Sequence, residues 1–345
     1  MEIAIVGLDL AKNVFQVHAV GATGEVLVRK AIRRAQLLPF FAKLSPCLVG
    51  MEACGTSHHW GRQLAALGHE VRLMPPAYVK PYVKRGKNDA SDAEAICEAV
   101  TRPTMRFVPV KSEEQQSSLT IHRTRELLVR QRTQAINMMR GQLAEFGVEI
   151  RQGVAHALTM ARDIADGDAP QLPAMARKMA GVLARQTLTL HAALREIERD
   201  LLAWQRQNDL ARRLTSIPGI GAIGASALAA TVVDPSQFSS GRQFAAWLGL
   251  TPLQRSSGGK ERLGGISKMG DKYIRKILVT GMTAVARHAR AKPQNFDPWV
   301  SQLLARKQTR VATVALANKA ARVAWVLMTR GGIYRRPGLS EAAAA

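Results

Sequence analysis

The sequence predicts an α/β domain followed by a mainly helical remainder. Three observations carry this. Residues 3–10 form an apolar run of strand length, and two more strand-like segments follow before any helix. Beyond residue 112 the apolar positions recur at helical spacing. The chain has 345 residues, enough for two or three domains and a sizeable core.

The first strand ends in Asp9-Leu10-Ala11-Lys12. Residues 14–20 alternate, with Val14, Gln16 and His18 on one side and Phe15, Val17 and Ala19 on the other. Residues 21–24 are the turn, and 25–28 start a third strand. A helix is expected around 35–44, then a buried strand at 47–51 ending at Glu52. Residues 57–67 read as a helix closed by Gly68, and 71–74 as a strand before Pro75-Pro76. Residues 89–100 form a helix that Arg102-Pro103 ends. Three consecutive β segments, then alternating α and β, predict a mixed sheet of the ribonuclease H type.

Residues 112–146 read as one long polar helix, 153–173 as a looser stretch, and 173–206 as a second long helix. Two such helices joined by a loop predict a protruding antiparallel coiled coil. After 206 the character changes. Ile217-Pro218-Gly219-Ile220-Gly221 leads into an Ala-rich helix, 256–265 is a glycine-rich loop, and 271–291 and 311–328 are helices. Lys319 and Arg322 interrupt the last apolar stretch, so it is expected to be a buried helix and not a membrane span. The expected domains are 1–111, 112–206 and 207–336, with 337–345 a disordered tail.

Lys and Arg total 49 against 26 acids, a formal charge of +23, which points to a polyanion with nucleic acid first. Residues 255–336 hold 18 Lys/Arg and three acids, whereas the first 101 residues are nearly balanced. An anionic membrane would call for a segregated amphipathic helix or a lipid anchor, and neither is evident. Cys47, Cys54 and Cys97 are too few and scattered for a disulfide framework or a zinc site. A reducing cytoplasm is expected, with no signal peptide.

Four acids stand out. Asp9 and Glu52 each follow a strand that should be buried, and Asp89 and Asp92 share one face at a helix start. Asp89 alone would ordinarily be a helix cap. Together, four carboxylates repel unless cations neutralise them, and hard oxygen ligands select Mg²⁺, with Mn²⁺ the alternative. Two such metals would clamp the attacking and leaving oxygens of a phosphoryl transfer.

Ser256-Ser257-Gly258-Gly259-Lys260 is a polar turn inside the basic region. Its ordinary reading is only a turn. Its chemical reading is a serine hydroxyl attacking phosphorus, with Lys260, Arg262 and Lys268 stabilising the developing charge. Gly219 and Gly221 lie in a segment like the hairpin of a helix-hairpin-helix element, whose backbone amides hold phosphate without reading sequence. Lys268, Lys272, Arg275 and Lys276 are expected to line a groove. Arg123, Arg125, Arg130, Arg132 and Arg140 on the long helix are placed to meet an RNA or DNA backbone.

Three motifs, Gly7-Leu8-Asp9-Leu10-Ala11-Lys12-Asn13, Gly50-Met51-Glu52-Ala53-Cys54-Gly55 and Lys87-Asn88-Asp89-Ala90-Ser91-Asp92-Ala93-Glu94-Ala95, resemble the DEDD motifs of insertion sequence 110 family transposases, in the branch typified by insertion sequence 1111. The likeness continues through the Ile217 segment, Ala246-Trp247-Leu248-Gly249-Leu250, the serine turn and Gly265-Ile266-Ser267-Lys268, covering roughly residues 3 to 330 in order. This resemblance implies a RuvC-like N-terminal domain, a coiled-coil segment and a C-terminal transposase domain. It implies an essential serine, matched by Ser257, with Ser256 next and Ser267 third. It also implies a dimer or tetramer whose composite site joins the carboxylates of one subunit to the serine of another. The implied partners are donor and target DNA and a structured bridge RNA that pairs with both. Two other functions compete: a metal-dependent junction resolvase or nuclease with no covalent intermediate, and a non-catalytic architectural binder. The carboxylate set argues against the binder, and the basic C-terminal region with its serine turn argues for the recombinase over the resolvase.

Overall fold

The computed structural model describes residues 2–84, 88–168, 170–256 and 258–335. Two compact units divide the chain, 1–116 and 117–345. The tail expected at 337–345 lies outside the described residues.

The first unit is built on five strands: β1 Ile5–Asp9, β2 Val14–Val20, β3 Val26–Arg33, β4 Leu48–Glu52 and β5 Glu70–Met74. Their order is β3-β2-β1-β4-β5. The pairs β1–β2 and β2–β3 are antiparallel, while β1–β4 and β4–β5 are parallel. The mixed sheet therefore follows the expected pattern of a strand meander and then alternating elements. Helices α1 Leu37–Phe41, α2 Ser57–Ala66, α3 Pro76–Val79 and α4 Asp89–Val100 complete it.

Alternation along each strand decides what each face covers. Val6, Leu8, Phe15, Val17, Val49, Met51 and Leu73 form one core with Leu37, Phe41, Trp60 and Leu64 of α1 and α2. Residues of opposite parity, with Gly7 and Gly50 among them, face α4, where Ile96, Ala99 and Val100 are buried. Gly68 closes the α2 turn with a φ of +93°, a left-handed conformation that favours glycine.

The second unit holds the rest of α5 Glu113–Ala144, then α6 Val154–Asp166 and α7 Ala174–Gln207. The expected loose stretch at 153–173 contains α6, a full helix whose Ala157, Leu158, Ala161 and Ile164 are buried. Gly153, Gly167, Pro170 and Pro173 flank that helix and do not interrupt it, so they mark its ends. Helices α5 and α7 run antiparallel side by side: Arg125 bonds Glu198 and Arg132 bonds His191, seven residues later on one helix and seven earlier on the other.

Helices α8 Asp209–Leu214, α9 Ala222–Thr231, α10 Gly241–Trp247, α11 Lys272–Ala291, α12 Pro298–Arg306 and α13 Thr309–Arg330 share one core around Leu228, Phe244, Leu278 and Leu316. Helix α13 is long and apolar enough to cross a membrane, yet Ala312, Leu316, Ala317, Ala321 and Ala324 are buried in that core. Its Lys319 lies 4.0 Å from the Trp299 ring centre and 3.2 Å from Asp297. It is a core helix, as its interrupting cations predict. The stretch expected as a loop at 256–265 is partly a hairpin of β6 Pro252–Gln254 and β7 Leu263–Ile266. Gly264 and Gly265 hid the second strand, because glycine is depleted in strands.

Candidate active site

The sheet brings the N-terminal carboxylates together. Asp9 is the last residue of β1 and Glu52 the last of β4, and these strands are parallel neighbours paired as far as Leu8 and Met51. Both side chains have the parity of Gly7 and Gly50, so they point to the α4 side. Asp89 and Asp92 occupy the first turn of α4. One oxygen each from Asp9, Asp89 and Asp92 lie within 4.8 Å of one another, a spacing that can hold a metal ion. Glu52 is outside that triad but near enough for Asp9 and Asp92 to raise its pKa.

The electrostatics match the crowding. Burial pushes the Asp9 carboxyl up from 3.8 to about 6, and Asp92 and Asp89 push it the same way against one backbone hydrogen bond from Leu10. Burial is also the largest cause of the upward shift of Glu52. The ordinary role weighed for Asp89, capping its helix, falls to Asn88, whose side chain accepts from the Ala90 N–H at 3.1 Å. Asp89 is thereby left exposed beside Asp9 and Asp92. The donor set is all carboxylate oxygen, which fits a hard divalent cation.

Sequence reasoning missed what allows this convergence. A Cβ on Gly7 would lie 2.1 Å from the Ala93 carbonyl oxygen and 2.5 Å from the Cys97 nitrogen, and one on Gly50 would lie 2.8 Å from Val100 Cβ. The signal was present: each strand carboxylate stands two residues after a glycine.

The C-terminal residues divide. Ser257 lies outside the described residues. Ser256 accepts a hydrogen bond from the Arg262 N–H at 3.2 Å and Arg255 N–H donates to the Arg262 carbonyl at 2.8 Å, so this serine helps close the hairpin. Ser267 Oγ accepts from Met269 N–H at 3.5 Å. Lys260, Arg262, Lys268 and Lys272 are exposed, with Lys268 in the left-handed region at φ +55°.

Arg275 corrects the expectation of a groove-lining cation. It is 9% exposed, and one guanidinium nitrogen donates to the carbonyls of Leu248 at 2.8 Å and Met269 at 2.6 Å. It fastens the Ala246–Leu250 turn to the segment after β7. Gly249 and Gly270 meet in that joint so closely that neither has room for a Cβ. Gly219, at φ +83°, packs against Met282, Val285 and Gly281 of α11, while Gly221 has open space and stands at the start of α9. On α5, Arg125 turns to Glu198, Arg132 to His191, and Arg140 to the carbonyls of Arg151 and Gly153. Of the five arginines expected to meet nucleic acid, Arg123 and Arg130 are the ones exposed. The reason is geometric: Arg125 and Arg132 face α7, and Arg140 faces the segment before α6.

Sequence reasoning also left out a buried polar chain. His122 Nδ1 is 3.0 Å from the Tyr273 hydroxyl and Nε2 is 3.1 Å from the Ser226 hydroxyl. Burial lowers the His122 pKa to about 4, assisted by Arg125, so the ring is neutral and links α5, α9 and α11.

A DEDD-type model described as a transposase matches residues 6–147, and one described as transposase IS116/IS110/IS902 family matches residues 211–297. The chain is 48% identical to a probable family 20 transposase of Pseudomonas aeruginosa over 339 residues, spanning 98% of this chain and 100% of that protein. It is 40% identical to the transposase for insertion sequence element IS1328 of Yersinia enterocolitica, across 97% and 99% of the two chains. With the transposase for insertion sequence element IS1111A of Coxiella burnetii the identity is 39%, across 97% and 92%. The chain belongs to the IS116/IS110/IS902 family of insertion-sequence transposases.

Proposed function

We propose that this transposase cuts and rejoins DNA through two sets of groups, the carboxylates of its N-terminal unit and a serine of its C-terminal hairpin. The observation that carries the reading is the convergence of Asp9, Asp89 and Asp92 within 4.8 Å, with Glu52 close by. The strand order supports a RuvC-like fold of the ribonuclease H type for residues 1–111. Asp9, Glu52, Asp89 and Asp92 would hold Mg²⁺, or Mn²⁺ in its place. When bound, that cation supplies charge neutralisation and polarisation at a scissile phosphate.

Ser257 is the assigned nucleophile. Its hydroxyl gives up its proton as its oxygen forms a bond to phosphorus, the bond from phosphorus to a DNA oxygen breaks and that oxygen takes up a proton, and the strand end stays esterified to the protein. Lys260, Arg262, Lys268 and Lys272 bind the surrounding phosphates. Gly221 and the start of α9 act as a helix-hairpin-helix-like phosphate contact, and residues 112–206 as a coiled coil that assembles a dimer or tetramer. In that assembly the serine of one subunit serves the carboxylates of another. Choice of donor and target DNA falls to a bridge RNA, with the protein reading backbone and shape. These last assignments follow from the family resemblance and from the basic C-terminal region.

A water nucleophile is the second reading, favoured by the fact that the carboxylate cluster lies within one unit. Denaturing electrophoresis of a reaction on end-labelled DNA separates the two. The serine mechanism gives a protein–DNA adduct that Ser257→Ala removes while Ser256→Ala keeps it. Cleavage with no adduct, unaffected by either change, means the carboxylates act with water alone.

A further inference from the structure

We propose that Gly7 and Gly50 are positioning residues for the carboxylate site: by admitting α4 against the bare backbone of β1 and β4, they bring Asp89 and Asp92 to Asp9 and Glu52. This rests on reading the carboxylates as a metal site. Neither glycine has a positive φ, so what they supply is space and not a special backbone conformation. The contacts fall on the same face of α4 as the carboxylates. Ala93 and Cys97 meet Gly7, and Val100 meets Gly50. Asp89, Ala93 and Val100 follow one another on that face at spacings of four and seven.

The distances along the two elements agree. From Gly7 to Asp9 is two strand residues, ~6.6 Å. From Ala93 back to Asp89 is four helix residues, ~6 Å. The approach of α4 to Gly7 therefore stands one step behind the site. A methyl group at Gly7 would meet backbone atoms at 2.1 and 2.5 Å, which no side-chain rearrangement relieves, so the helix must move outward and carry its carboxylates away. At Gly50 the obstacle is the Val100 side chain, with Cβ at 2.8 Å and the two methyls at 3.0 and 3.1 Å. That clash can be removed by trimming Val100, the last residue of α4, to glycine, at a cost in core packing that the single Val100→Gly variant measures by itself. Gly61 on α2 gives the control. Its Cβ would meet Val110 methyls at 3.0 and 3.2 Å, a similar crowding with no carboxylate behind it.

The test is Mn²⁺ titration of the full-length protein by calorimetry, with circular dichroism and thermal melts of the metal-free samples. Gly7→Ala and Gly50→Ala are expected to weaken Mn²⁺ binding about 10- to 100-fold, the range seen when support of metal ligands is lost. Gly50→Ala with Val100→Gly should return to the affinity of Val100→Gly alone. Gly61→Ala should lower the melting temperature and leave Mn²⁺ affinity unchanged. If Gly7→Ala does not fold, the Gly50 pair decides. Wild-type affinity in folded Gly50→Ala, or an equal loss of affinity in Gly61→Ala, overturns the inference. Should Asp9→Ala bind Mn²⁺ as well as the wild type, the metal-site reading itself fails, a result distinct from either.

Discussion

The carboxylates of the N-terminal unit stand at the ends of two central strands and in the first turn of a helix, on a frame whose residues are almost all buried. The hairpin of the C-terminal unit carries Ser256, Lys260 and Arg262 between strands of three and four residues that are exposed along nearly their whole length. The contrast follows from what each set must overcome. Four like charges repel, so they stay together only where packing prevents their separation. Ser256 and the scattered, solvated cations repel little, and a hydrogen-bonded turn suffices to present them. Rigidity in this protein therefore lies where electrostatics oppose the arrangement.

The sharpest way to break this comparison is to remove the charges one at a time. Asp9→Ala, Glu52→Ala and Asp92→Ala are each expected to reduce DNA strand cleavage by about 10²- to 10³-fold, as when groups stabilising transition-state charge are lost. Their circular dichroism should stay native, because each removal relieves repulsion. Activity within tenfold of wild type in either strand-end variant would remove the carboxylates from the chemistry.

Arg275 tests the other unit. Its guanidinium is buried on two carbonyls, so Arg275→Met leaves both without their donor and should cost on the order of 2–3 kcal/mol in denaturant unfolding. The exposed Lys272, one turn away, should change stability by less than about 0.5 kcal/mol when replaced by Ala. Equal effects would mean that Arg275 does not fasten the joint.

The hairpin cations should betray themselves by salt alone. Lys260→Ala and Arg262→Ala are each expected to make the log–log salt slope of duplex DNA binding shallower by about 0.9, one phosphate contact apiece. An unchanged slope in both places the DNA elsewhere on the basic surface.

How much of this was legible in the sequence depends on which force dominates locally. The strands were readable because alternation such as Phe15, Val17 and Ala19 against Gln16 and His18 has one solution when a face is buried. Asp9 and Glu52 were readable because a carboxylate ending a buried strand is costly, and Asp89 and Asp92 because they share one face at a helix start. Helix α6 was not, since its flanking glycines and prolines obscured a short amphipathic pattern. Arg275 was misread because a cation's charge says nothing of whether carbonyls or phosphates will receive its hydrogen bonds. The inward turn of Arg125 and Arg132 depended on Glu198 and His191, more than 50 residues away. Gly7 and Gly50 were overlooked because their role is the absence of a side chain.

The smallest expected effect bears most directly on the repulsion that sets the two units apart. In metal-free protein Asp9 holds its proton up to about pH 6, against 3.8 for the free side chain. Below pH 3.8 both folded and unfolded chains carry that proton, and the fold bears no penalty from it. As pH rises from there to about 6 the unfolded chain releases the proton first, so stability falls, and above 6 the loss is complete. Asp9→Asn removes the charge and keeps the shape. Solvent screens a half-buried carboxyl, so the variant should gain only on the order of 1 kcal/mol at pH 7.5, and the gain should vanish near pH 4. Added Mg²⁺ should reverse the order, since a ligand that binds only the folded state stabilises the chain that keeps its donor. Thermal melts with and without EDTA at the two pH values measure all four terms. If Asp9→Asn and wild type melt together at pH 7.5 in EDTA, the packing does not hold the carboxylates against their own repulsion, and the contrast between the two units loses its physical basis.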